Sequence, residues 1–128
     1  MYKTLNDIVK LTGDRRFGLE EVGWVSAPSL KGSDKSQSEA VDYFFDFIEQ
    51  APDRLEFISW FNLHDGRKKD CDNIARSFSR AGDGLSKDPK KMQMFSDFLC
   101  NFGLRKNDGS ARMAWDKWVA RAKSYHGK

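Results

Sequence analysis

Hydrophobic positions change their period several times along the chain. Ala40, Val41, Phe44, Phe45, Phe47 and Ile48 recur at spacings of three and four, which marks one face of a helix. Ser36-Gln37-Ser38-Glu39 reads as a capping box at its start and Pro52 lies just past its end, so a helix is predicted over 36–51. Residues 55–63, from Leu55 to Leu63, are nearly continuous in apolar and aromatic side chains. A run of that length predicts a strand buried on both faces, as in a parallel sheet covered by helices. Upstream, Arg16 to Val25 predicts a first strand over 16–25, flanked by turn residues. Gly18 and Gly23 weaken it in isolation but suit a close approach of backbone at a site.

The remaining segments are helices and loops. Leu5 to Thr12 predicts a short helix, with Thr4 as cap, Asp7 three residues on and Gly13 as its stop. Ser26 to Lys35 is a polar loop, and 64–88 is an irregular, charged excursion with a short helix near 73–78. Asp88-Pro89 starts a helix over 89–100, with Pro at the first helical position. Ser110 is the expected cap of a last helix over 110–125, whose inward stripe is Met113, Ala114, Trp115, Trp118 and Ala122. Strands alternating with helices predict an α/β fold with parallel strands. Two strands leave unpaired edges, so the pattern reads as part of a larger layered fold.

Composition narrows the classes. With 128 residues the chain is one domain's worth, and 39% hydrophobic against 32% charged residues makes it globular rather than disordered. No apolar run reaches the ~20 residues of a membrane span, and the stretch from Met1 to Asp7 is polar rather than a signal peptide. Lys and Arg total 22 against 19 Asp and Glu, with the signs interspersed, which argues against a nucleic-acid partner. Cys71 and Cys100 are too few for a disulfide scaffold and are expected to be free thiols, although they could pair. His64 and His126 have no second ligand at metal spacing, and the glycines around Gly82 and Gly84 form no phosphate loop, so no metal or cofactor is expected.

Glu21-Val22-Gly23-Trp24, at the end of the first predicted strand, resembles the segment around the nucleophile of clan A glycoside hydrolases. Phe57-Ile58-Ser59-Trp60-Phe61-Asn62-Leu63-His64-Asp65 resembles strand eight of those retaining (β/α)8-barrel enzymes, and Phe102-Gly103-Leu104, Asp108-Gly109-Ser110 and Ala114-Trp115 resemble the closing stretch before their final helix. Gly32-Ser33 through Gln37 is similar to the loop and helix start between the two strands. The resemblance implies a partial TIM barrel, about two βα units in one domain over 1–128, out of a complete barrel of about 250 residues. It implies Glu21 as nucleophile, with Trp60 and Trp24 as substrate-binding residues and a β-linked glycan as substrate.

Retaining hydrolysis needs two carboxyl groups about 5 to 5.5 Å apart. The family's acid/base Glu usually follows an Asn, and no Asn-Glu pair occurs here. The chain alone is therefore expected to be inactive unless a homo-oligomer or a complementary barrel chain completes the site. Without the resemblance, Glu21 reads as a solvated surface group and Trp60 as a core residue. The rival expectation is a small non-catalytic α/β module that binds carbohydrate or protein.

Overall fold

A computed structural model describes residues 2–51, 53–80 and 88–126. The predicted alternation is present. Helix α1 (Tyr2–Thr12) leads to strand β1 (Phe17–Val22), helix α2 (Asp34–Gln50), strand β2 (Leu55–Trp60) and helices α3 (Lys68–Arg80), α4 (Pro89–Cys100) and α5 (Met113–His126). A short 3-10 turn at Pro28–Leu30 precedes α2. The two strands pair in parallel, as a βαβ unit requires. The class is thus mixed α/β with a small parallel sheet.

Local chemistry accounts for several boundaries. Gly13 takes φ +56°, a left-handed value that ends α1 with little steric cost. The cap of α2 is Ser33, three residues earlier than the pattern suggests: Ser33 Oγ accepts from Ser36 N–H, and the Ser33 N–H donates to Ser36 Oγ. The box is real, but it is built from Ser33 and Ser36 rather than Ser36 and Glu39. Asp88 caps α4, its side chain accepting from the N–H groups of Lys90 and Lys91. Ser110 does not cap α5, which starts at Met113; its N–H and hydroxyl are both taken by Asp108. The excursion holds a helix of 13 residues, longer than the short turn expected at 73–78. Residues 81–87, including Gly82 and Gly84, lie outside the described residues.

Two buried clusters share α2. One joins Leu5 of α1, Val22 of β1 and Ala40, Tyr43, Phe44 and Phe47 of α2. The other joins Val41 and Phe45 to Leu104 and Ala114, with Trp115 and Trp118 of α5 packed against it. Trp60 touches both clusters. Acidic residues of α2 meet basic residues of α5 along the rim of this packing: Asp42 with Lys117 at 2.7 Å and Asp46 with Arg121 at 2.7 Å. No helix among the described residues is long and apolar enough to cross a membrane.

The sheet departs from expectation in one way that matters. It is covered by helices on one face only. Leu19, Leu55, Ile58 and Trp60 pack on the α2 cluster, whereas Phe57 keeps 48% of its surface in solvent and Gly18, Glu20, Glu21, Glu56 and Ser59 are exposed. The strand expected to be buried on both faces is buried on one, because among the described residues the helices pack on one side of it.

The two cysteines are bonded. Cys71 of α3 and Cys100 of α4 form a disulfide across 29 residues of chain. Both are almost fully buried, so the free thiols expected from the sequence are not found. Gly66 lies against this bridge, where an added Cβ would stand 2.7 Å from Cys71 Sγ.

Candidate functional site

The register of the strands decides which side chains share a face. Gly18 pairs with Phe57 and Leu19 with Ile58, but the next matched pair is Val22 with Trp60. Three steps on β1 therefore oppose two on β2, and Glu20-Glu21 contains the extra residue of a bulge. Leu19 and Val22 both keep to the helix-covered side. Glu20 and Glu21 are left exposed at the C-terminal end of β1, and both line a shallow depression along the β1 edge, with Gly18, Gly23 and Phe57 and with Leu5, Ile8 and Phe44 from the helical side.

Trp60 stands elsewhere. Its ring meets Phe44 edge-on at 5.9 Å and Trp118 at 5.8 Å, and its indole N–H donates to the Phe102 carbonyl at 2.7 Å. Those partners place it in the helical layer, on the side of the sheet that carries Val22. Glu21 and Trp60, the nucleophile and a substrate-binding residue implied by the resemblance, are thus not brought together, and Trp60 is engaged in packing. Trp24 lies two residues beyond β1, is 37% exposed, and presents its carbonyl to Gln37.

The segment that follows β2 is fixed by a polar network that the sequence pattern does not reveal. Gln37, fully buried in α2, donates from Nε2 to the carbonyls of Trp24 at 2.9 Å and Gly103 at 3.2 Å. One side chain thereby ties the exit of β1 to the turn at Phe102-Gly103. Arg112, just before α5, is 9% exposed and forms ion pairs with Asp34 at the start of α2 and with Asp65 beyond β2. Asp65 also accepts from the Gly103 N–H at 2.9 Å. Burial pushes the Asp65 carboxyl above its usual range, although the Arg112 hydrogen bond and charge pull the other way. All three partners converge at the end of the sheet where Glu21 lies. The only sequence signal for them is the Asp-Gly-rich turn around Asp65 and Asp108; their separations of 47 and 78 residues hide the pairing.

An aromatic ladder runs outward from the same end. Phe61 packs edge-on against Phe102 at 5.4 Å, Phe102 against Phe98 at 4.6 Å, Phe98 stacks on Phe95 at 6.2 Å, and Phe95 meets Phe78 at 5.5 Å. It links the excursion helices α3 and α4 to the strand end. His64 is exposed beyond β2, and the side chain of His126 lies outside the described residues. Among the described residues, no three His, Cys, Asp or Glu side chains gather as a metal site. The candidate site offers two exposed carboxylates at the C-terminal end of β1, in a depression that also holds the half-exposed Phe57.

Comparison with protein-family models, with curated proteins and with solved structures finds no match to the chain.

Proposed function

We propose that the chain is a segment of a glycoside hydrolase-like (β/α)8 barrel, with Glu21 as the nucleophile for retaining cleavage of a β-linked glycan. The observation that carries this reading is the uncovered face of the parallel β1–β2 pair with Glu21 exposed at its C-terminal end. Active-site groups of (β/α)8 barrels sit at that end of their strands. A parallel pair with one bare face and two free edges is completed by further parallel strands, supplied by copies of this chain or by a complementary barrel chain.

In the completed site the Glu21 carboxylate attacks the anomeric carbon, and the bond from that carbon to the leaving oxygen breaks. A carboxylic acid from a neighbouring strand gives its proton to that oxygen, then takes one from the water that releases the sugar from Glu21. This chain supplies the first carboxylate and not the second, so the isolated polypeptide is inactive. The buried Asp65 is committed to Arg112 and Gly103 and supports the site rather than reacting. The Cys71–Cys100 bridge favours an oxidising compartment.

The test is a set of 2-deoxy-2-fluoro-β-glycosides with activated leaving groups, followed by peptide mapping of the labelled protein. Labelling at Glu21, abolished in Glu21→Gln, supports the reading. No labelling in any assembled form favours the non-catalytic binding module instead.

A further inference from the structure

We infer that the chain assembles head to tail, the exposed end of α1 in one copy seating in an acid-rimmed hollow at the foot of β2 in the next. The contact involves neither Glu21 nor a sugar. Among the described residues the sheet holds β1 and β2 alone, so β2 keeps one edge free. On that flank a hollow of about 660 Å³ opens between the start of β2, the end of α2 and the second half of α5, and no residue of α1 or β1 lines it. Its floor is apolar, with the partly buried Ile48, Leu55 and Trp118. Its rim carries the exposed Glu49, Asp53 and Glu56, and no Lys or Arg among the described residues lines it. Arg121 reaches Glu49 at 3.8 Å and Arg16 reaches Glu56 at 2.7 Å, whereas Asp53 has no ion-pair partner among the described residues.

The matching surface lies on the other flank. α1 joins the cluster of Phe44 and Phe47 and α5 that of Val41 and Phe45, so the two helices stand on either side of α2. At the end of α1, Leu11 keeps 78% of its surface in solvent, between the exposed bases Lys10 and Arg15. Arg15 folds back on the helix end and donates to the carbonyls of Thr12 at 3.2 Å and Leu11 at 3.4 Å, which holds its charge beside Leu11. Neither base has an ion-pair partner among the described residues. Asp14, the one acid from residue 10 to 16, is drawn to Arg54 at 4.0 Å. An apolar knob with two unpaired cations thus matches an apolar hollow with an unpaired carboxylate. Both lie at the same end of the sheet, since α1 leads into β1 at Phe17 and Phe17 pairs with Leu55 at the start of β2. A second copy that sets its β1 along the free edge of β2 brings its α1 beside α5, with Leu11 at the hollow and Lys10 and Arg15 near Asp53. The strands stay parallel across the junction, and because knob and hollow are different surfaces the contact repeats from copy to copy.

The experiment is sedimentation equilibrium on the full chain with two variants. Leu11→Ser removes the knob and should weaken self-association at least about tenfold. Asp53→Arg sets a cation against Lys10 and Arg15 and should weaken it as much. Both positions are exposed, so neither substitution should move the urea midpoint. At a concentration where each variant alone runs as a single chain, their equimolar mixture should form pairs, because the intact knob of Asp53→Arg meets the intact hollow of Leu11→Ser. A single-chain parent, a variant that associates as tightly as the parent, or a mixture that stays at the mass of one chain overturns the inference. Association of the parent that survives both substitutions does so while leaving coverage of the sheet by other contacts between copies in place.

Discussion

Replacing Arg112 with Met tests the polar network at the end of the sheet. The side chains of Arg112 and Asp65 are 9% and 8% exposed, so the substitution leaves the Asp65 carboxylate buried with the Gly103 N–H as its remaining hydrogen-bond donor. Breaking a buried pair from one side costs about 3–5 kcal/mol, a large part of the roughly 5–15 kcal/mol that holds a domain folded. Arg112→Lys keeps the charge but not the fork that spans Asp34 and Asp65, and should lose about 1–3 kcal/mol. Asp65→Asn added to Arg112→Met removes the stranded charge and should recover most of the deficit.

The pH dependence has a definite sign. Burial holds the folded-state pKa of Asp65 above the ordinary carboxylate value of 3.8, so the folded protein holds that proton more tightly than the unfolded chain. The contribution of Asp65 is therefore fully present below 3.8 and is lost as pH rises through the folded pKa. Without Arg112, two influences that lower the pKa disappear, the pKa climbs further, and the destabilisation of Arg112→Met should be larger at pH 7 than at pH 4. Urea unfolding at both pH values measures this directly. A deficit under about 1 kcal/mol, or one that does not change with pH, would refute the assignment of Arg112 and Asp65 as a buried, mutually dependent pair.

Three further outcomes are expected. Replacing Cys71 and Cys100 with Ser opens a loop of 29 residues, for which chain entropy gives about 3.6 kcal/mol; hydrogen exchange should show the loss concentrated in α3 and α4, and unchanged protection there would contradict it. Gly103→Ala should cost about 1–3 kcal/mol in urea unfolding, because its Cβ would collide with the backbone of His64, Asp65 and Arg105, whereas Gly18→Ala meets only the Phe57 ring and should cost less. Gln37→Leu should lose about 1–3 kcal/mol by leaving the Gly103 and Trp24 carbonyls without the Gln37 donor, and an unchanged urea midpoint would dismiss Gln37 as the tie between β1 and the 102–103 turn.

Much of the scaffold was legible because its signals are local. Asp88-Pro89 marks a helix start through capping and a fixed φ, and the three-and-four spacing from Ala40 to Ile48 needs only α2 itself. Both strands end earlier than their apolar runs, at Val22 and Trp60, because pairing rather than hydrophobicity defines a strand and the ladder stops there. The site was less legible. Trp60 and Phe61 are adjacent in an unbroken apolar stretch, so no period distinguishes the packed ring from the exposed one. The bulge at Glu20-Glu21 also shifts the alternation on β1, which only the partner strand reveals. The roles of Arg112, Asp65 and Gln37 are not legible in the sequence because each acts across a separation that leaves no pattern in the chain. Cys71 and Cys100 paired for the same reason, through the packing of α3 on α4.

The central claim is that the bare face and free edges of the β1–β2 pair are covered by further strands in the working protein. Light scattering on the full chain as it leaves a sizing column tests this most directly. The account predicts a species several times heavier than the 14.7 kDa polypeptide, persisting on dilution. A uniform mass of one chain at every concentration would contradict coverage by copies of this chain and leave only a complementary barrel chain to supply the strands.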